Sequence, residues 1–145
     1  METITQENKE LLLKDLCARL PYGVKVAFFN EDLTYHSEPK TLTGIECINN
    51  LNYSSLEDED GNTTIVEFVK PYLFPLSSMT DEQYNEFFTY FHEVEKKEIE
   101  TSGDYLKAAY LGENAKHDWL NKNHFDYHYL IPMGLANDAT GLNIY

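Results

Sequence analysis

Leu12, Leu13, Leu16 and Leu20 recur at three- and four-residue intervals, while Glu7, Lys9, Glu10, Lys14, Asp15 and Arg19 fall largely off that stripe. Apolar positions at this spacing line one helical face, so an amphipathic first helix is expected. Pro21 and Gly23 end it, since proline lacks a backbone donor and its ring clashes with the preceding turn. Val24, Val26 and Phe28 then alternate with Lys25 and Ala27, which is the period of a strand. Further strands are expected over residues 33–36, 41–48, 53–56 and 63–69. Between the last two lies Glu57-Asp58-Glu59-Asp60-Gly61, an acidic turn in which Asp60-Gly61 or Gly61-Asn62 supplies the positive φ that a tight hairpin needs.

Pro71 and Pro75 bracket Tyr72, Leu73 and Phe74. Each proline removes a ladder donor, so residues 70–76 are expected to leave the sheet as a connector with apolar anchors. Thr80-Asp81-Glu82-Gln83 has the form of a capping box, and Met79 and Tyr84 stand where a hydrophobic staple would close over it. From there Tyr84, Phe87, Phe88, Phe91 and Val94 form an apolar stripe, expected to cover one side of the sheet. Ser102-Gly103 interrupts the pattern; Tyr105, Leu106, Ala109 and Tyr110 resume it, and Gly112 is expected to end that short segment. Asn114 can cap another helix through about Lys122 that buries Ala115, Trp119 and Leu120. Asp126 can cap a last turn holding Leu130 and Ile131, before Pro132 and Gly134 close it.

The elements describe an α+β fold: an N-terminal helix, a small, strongly bent antiparallel sheet or partly closed barrel, and a C-terminal helical half packed on it. No repeat or linker divides the chain, so residues 1–145 read as one domain, strand-rich over 20–70 and helical over 80–136. A chain of 145 residues with 42% apolar and 14% aromatic residues can bury a core without disulfides or metals. Cys17 and Cys47 belong to no C-x-x-C pair and are expected to be ordinary buried thiols in a reducing compartment. The first eight residues lack the basic and apolar segments of an export signal. Apolar runs such as Leu11-Leu12-Leu13 fall far short of the roughly 20 residues that span a bilayer as a helix. A cytoplasmic location follows as the expectation.

Charge changes the picture more than composition does. The net −14 is concentrated in residues 31–104, which hold 17 Asp or Glu against 4 Lys or Arg, leaving −1 for the flanks. Such a surface repels phosphate backbones and anionic lipid heads. Direct nucleic-acid binding and membrane association are therefore disfavoured, and the charge permits a basic protein partner, whose identity is unknown.

Leu16-Cys17-Ala18-Arg19-Leu20-Pro21-Tyr22-Gly23-Val24, Val69-Lys70-Pro71-Tyr72-Leu73, Leu76-Ser77-Ser78-Met79-Thr80 and the run from Trp119-Leu120-Asn121 through His124-Phe125-Asp126-Tyr127 to Gly134-Leu135-Ala136 occur in that order. In these blocks the chain resembles a family of uncharacterised small proteins from gut bacteria and their prophages or mobile elements. The resemblance implies one compact unit and carries no established activity.

The sharpest chemical cluster is His124-Phe125-Asp126-Tyr127-His128, with His117 and Asp118 nearby in sequence. Imidazoles four residues apart on one helix can share a zinc ion with a carboxylate, which makes His117, His124 and His128 weak metal candidates. The pattern lacks the glutamate of a zincin motif, and Asp126 is equally explained as a cap. Ser77 and Ser78 have no nucleophile elbow, the acidic turn lacks calcium-loop spacing, and no phosphate-binding glycine motif is present. No catalytic residue and no cofactor is assigned. Eleven tyrosines remain to be explained, and tyrosine suits a wet interface because its ring packs while its hydroxyl stays hydrogen-bonded. Tyr72, Phe74 and Tyr90 are the candidate anchors of a partner contact. The leading reading is a noncatalytic protein-binding or accessory module. Two alternatives stand beside it: an acidic DNA-mimic inhibitor of a DNA-binding protein, and a small metal-dependent hydrolase using the late histidines.

Overall fold

The computed structural model describes residues 4–48 and 53–145. Met1 to Thr3, part of the segment that lacks the pattern of an export signal, and residues 49–52 lie outside the described residues. The first helix, α1, spans Gln6–Arg19 and is capped by the Thr5 hydroxyl, which accepts from the Asn8 amide. Leu12, Leu13 and Leu16 are fully buried against Val24, Val26, Leu42, Leu56, Leu73 and Leu130. Burying one such leucine stabilises by about 1.5–3 kcal/mol, so this seam between helix and sheet is the main core.

Five strands carry most of the sheet: β1 (Lys25–Phe28), β2 (Lys40–Ile48), β3 (Tyr53–Asp58), the two-residue β4 (Thr63–Thr64) and β5 (Val69–Pro75). Their order is β4-β3-β2-β1-β5, with all neighbours antiparallel. Helices α2 (Asp81–Ser102) and α3 (Tyr105–Lys122) follow, and two late segments, β6 (Phe125–Asp126) and β7 (Asn137–Asp138), pair in parallel with β5. The architecture is α+β as the sequence predicts, with a mixed, open sheet in place of a barrel. Parallel pairing was not legible, because β6 and β7 are two residues each and draw their order from β5.

The segment expected to leave the sheet is the strand β5, paired with β1, β6 and β7. Phe29 N–H donates to the Phe68 carbonyl at 2.8 Å, and the register sets Ala27 against Lys70. Residues 68 and 70 therefore face β1 and Pro71 faces away, toward the edge where pairing with β7 begins only at Tyr72. The missing proline donor costs no ladder bond there. The expected strand over 33–36 is instead a turn, held by Thr34 N–H to Asp32 Oδ1 at 3.1 Å and Tyr35 N–H to Asn30 Oδ1 at 3.0 Å. Residues 63–69 break into β4, a 3-10 turn over Val66–Phe68 and the start of β5.

The acidic hairpin is organised from inside. Asp58 is buried and accepts from the Asp60 and Asn62 amides at 2.9 and 3.0 Å, while Gly61 takes φ 81°. Further along, α3 is continuous through Gly112, which was expected to end a helix. A Cβ at Gly112 would meet Glu95 Cγ at 2.6 Å, so the glycine makes room for the Glu95 side chain of α2 against α3. Both cysteines are exposed rather than buried. Burial of part of its side chain, and then the nearby Cys47, raise the pKa of Cys17, which disfavours its thiolate. Among the described residues no helix is long and apolar enough to cross a membrane.

Candidate functional site

The helical hairpin differs from the rest of the molecule. Thr80 forms the expected capping box: its hydroxyl accepts from the Gln83 amide at 3.1 Å, and Gln83 Oε1 accepts from the Thr80 amide at 2.9 Å. Gly103 closes α2 at φ 70°, and Asp104 caps α3 by accepting from the Lys107 amide. The two helices then run antiparallel, tied by Glu98–Lys107 at 3.1 Å, by Lys116 Nζ over the Phe91 ring at 4.6 Å, and by Phe87 edge-on to Trp119 at 5.3 Å. Lys107, followed by Ser102, lowers the pKa of Glu98 through hydrogen bonds.

α2 lies along α3 instead of covering the sheet, and it contains no buried residue. Its attachment to the body is the cluster of Trp119, Leu120 and Phe125, against which Phe74, Leu76, Met79 and Phe87 pack. Tyr84, Phe88 and His92, four residues apart in sequence, make an open row in which Tyr84 and Phe88 stack at 6.5 Å and Phe88 meets His92 at a tilt, 4.0 Å away. Tyr84 does not close the staple inward; it is 56% exposed. The apolar stripe is wider than one partner helix can cover, and the surplus stays in solvent.

Tyr90, 46% exposed, lies on the other flank of α2. There a shallow groove of about 870 Å³ is floored by Tyr90, Val94 and Trp119 and rimmed by Glu82, Glu86 and Glu93. Residues 81–95 contain five carboxylates and no Lys or Arg. No basic side chain of this stretch offsets the rim.

The other two sequence-predicted anchors fall elsewhere. Tyr72 is 6% exposed, packed with Ala27 and Ala139, and Phe74 is half-buried between Phe125 and Tyr145. Neither ring reaches the groove.

The late histidines do not converge. His117 stacks on Tyr127 at 5.1 Å, His124 stacks on Tyr145 at 3.6 Å, and His128 Nδ1–H donates to Asp15 Oδ1 at 2.8 Å. Among the described residues no group of three or more His, Cys, Asp or Glu is placed to hold a metal ion. Burial, then Arg19 and Lys25, push the His124 pKa down to about 4. Asp126 spends both carboxylate oxygens on the Leu130 and Ile131 amides, the capping role expected of it.

One cluster escaped sequence reading. Asp15 and Arg19, off the leucine stripe of α1, are nonetheless fully buried. Arg19 Nε and Nη2 donate to the two Asp15 oxygens at 2.8 and 3.1 Å, and Nη2 also donates to the Phe125 carbonyl at 2.6 Å. Tyr127 lies 5.2 Å over the guanidinium, and its hydroxyl donates to Asn121 Oδ1. The i, i+4 spacing of Asp15 and Arg19 was visible, but their burial depends on residues more than a hundred positions away. An oriented Asp–His pair can in principle move a proton, yet nothing nucleophilic is hydrogen-bonded to it among the described residues; its evident work is to join α1 to the 125–128 segment. Against family models, curated proteins and solved structures, the chain finds no match.

Proposed function

We propose that this protein is a noncatalytic binding module that docks a basic protein segment in the groove of the helical hairpin. The observation that carries this reading is the pairing of an aromatic floor, the half-exposed Tyr90 beside the largely buried Trp119, with a rim of Glu82, Glu86 and Glu93. An arginine or lysine side chain suits both parts. Its aliphatic stem and cationic head lie well over an aromatic face, while the carboxylates attract it from a distance. Aromatic residues on such a floor are the usual energetic anchors of protein contacts.

Trp119 is the only tryptophan in the chain and lines the groove, so its fluorescence reports occupancy directly. A lysine- and arginine-rich probe peptide is expected to shift that fluorescence saturably, with affinity falling as salt rises. An acidic peptide of equal length is not. Glu82→Gln/Glu86→Gln/Glu93→Gln and Tyr90→Ala should each weaken binding about tenfold or more with the circular dichroism unchanged. Equal binding by acidic and basic peptides defeats the proposal. The acidity of residues 81–95 also favours the DNA-mimic variant of this reading. Its signature is a basic partner that duplex DNA competes away.

A further inference from the structure

The ladder between β1 and β5 holds a side chain where a backbone bond belongs. Its register pairs Val26 with Pro71, Ala27 with Lys70 and Phe28 with Val69, which brings Lys25 opposite Tyr72 at the next step. Phe29 N–H bonds the Phe68 carbonyl, and hydrogen-bonded pairs recur at every second residue of an antiparallel ladder. Lys25 and Tyr72 therefore occupy such a pair. The Lys25 amide instead donates to the Tyr145 hydroxyl at 2.8 Å, and that hydroxyl donates to the Tyr72 carbonyl at 2.6 Å.

The rest of the slot fits the ring. His124 lies parallel to Tyr145, with centroids 3.6 Å apart and planes 12° apart, and Phe74 meets it at 5.8 Å. His124 sits at φ 63°, a left-handed conformation unusual for a residue other than glycine, and its buried Nδ1 has no hydrogen-bond partner among the described residues. The backbone is bent here to present a stacking surface. The depressed His124 pKa keeps that surface an uncharged imidazole, and burial raises the pKa of the Tyr145 hydroxyl, which keeps it a donor.

One donor and one acceptor set to share a single hydroxyl, above a flat aromatic wall, select a phenol over a bare benzene ring or an aliphatic alcohol. We propose that this slot is a phenol-binding site, that Tyr145 is its resident ligand, and that residues 139–145 form a strap which a phenol supplied in trans displaces. The strap is anchored at its other end by the Ala139 amide, which donates to the Leu73 carbonyl at 2.8 Å, and Ile144 packs on Ala27, Tyr72 and Ala139. Its departure orphans no backbone group at the slot. The Lys25 amide and the Tyr72 carbonyl are each other's normal ladder partners and pair directly once the hydroxyl is gone. Tyr72 and Phe74 thus serve a binding site through a carbonyl and a ring wall beneath the strap. This site is separate from the groove of α2, and neither depends on the other.

Tyr145→Ala empties the slot, and p-cresol, N-acetyltyrosinamide and toluene are the probes. We expect p-cresol or N-acetyltyrosinamide to raise the melting temperature of Tyr145→Ala saturably by about 3–6 °C, to shift the His124 imidazole resonances, and to do far less to the unaltered protein at the same concentration. A response to p-cresol alone assigns the site to free phenols, and a stronger response to the amide assigns it to tyrosine side chains. Toluene acting as well as p-cresol, or no probe acting, overturns the proposal. Should Tyr145→Ala fail to fold, Tyr145→Phe retains the ring without the hydroxyl. The Lys25 amide of that variant is expected to stay protected from hydrogen exchange because the ladder closes, and rapid exchange there overturns the strap's reversibility.

Discussion

The buried end of the molecule around Asp15 and the exposed hairpin around Tyr90 solve opposite problems with the same residue types. At the buried end, a guanidinium and a carboxylate are withdrawn from water and matched by His128 and the Phe125 carbonyl, so charge is used to fix one arrangement of distant segments. In the hairpin, carboxylates stay in water around Tyr90, a ring left nearly half exposed. Burial makes each polar group of the first region costly to alter. Exposure makes each group of the second nearly free to alter for stability, and so available for recognition.

The largest expected effect comes from unpairing the buried charges. Arg19→Met leaves the Asp15 carboxylate without its main partner and should cost about 3–5 kcal/mol in urea unfolding. Asp15→Leu/Arg19→Met should be markedly more stable than Arg19→Met, since an apolar pair leaves no isolated charge. A double variant no better than the single one would show that the pair's contacts, not its charges, hold α1 in place.

Gly112→Leu drives a side chain into Glu95 and should part α2 from α3 at a cost of about 2 kcal/mol. The loss should fall on hydrogen-exchange protection of α2, with β1 and β5 unaffected. Loss of protection in both regions alike would mean that hairpin and body unfold as one unit.

pH separates the regions further. His124 is held neutral in the folded chain with a pKa of about 4, against an ordinary value of 6.5. Between these values the unfolded chain takes up a proton that the folded one refuses, so this contribution is intact above pH 6.5 and lost as pH falls toward 4. Allowing for partial solvent screening, the loss is about 1–2 kcal/mol. His124→Asn, which tolerates the left-handed backbone, should flatten that part of the stability profile. An unchanged slope would assign it to other groups. The smallest effect is Tyr90→Ala, expected to change stability by less than about 0.5 kcal/mol while weakening peptide binding.

Legibility followed the range of the interactions. The leucine face of α1, the Thr80 capping box and the Gly103 stop all rest on groups within four residues of one another, and each stands where its spacing places it. Pro71 was misread as a breaker because its tolerance depends on which edge of β5 faces β1. Gly112 was misread as a terminus because its role depends on Glu95 of the facing helix. Of the three aromatic anchors read from composition, Tyr90 lies exposed at the groove while Tyr72 and Phe74 sit in or against the core. Periodicity tells which face a ring lies on but not whether another element covers that face.

By itself, the sequence determined the α+β class, the leucine face of α1, the Thr80 start and Gly103 stop of α2, the acidity of residues 81–95 and the surplus of aromatic side chains, since these follow from neighbours along the chain. Only the tertiary structure decided that Asp15 and Arg19 are interior, that the late histidines serve three separate partners, that α2 lies on α3, and that Tyr145 completes the β1–β5 ladder. Each of these turns on whether water or another chain segment fills the space beside a side chain. Segments as far apart as Lys25 and Tyr145 settle that only when the chain closes on itself.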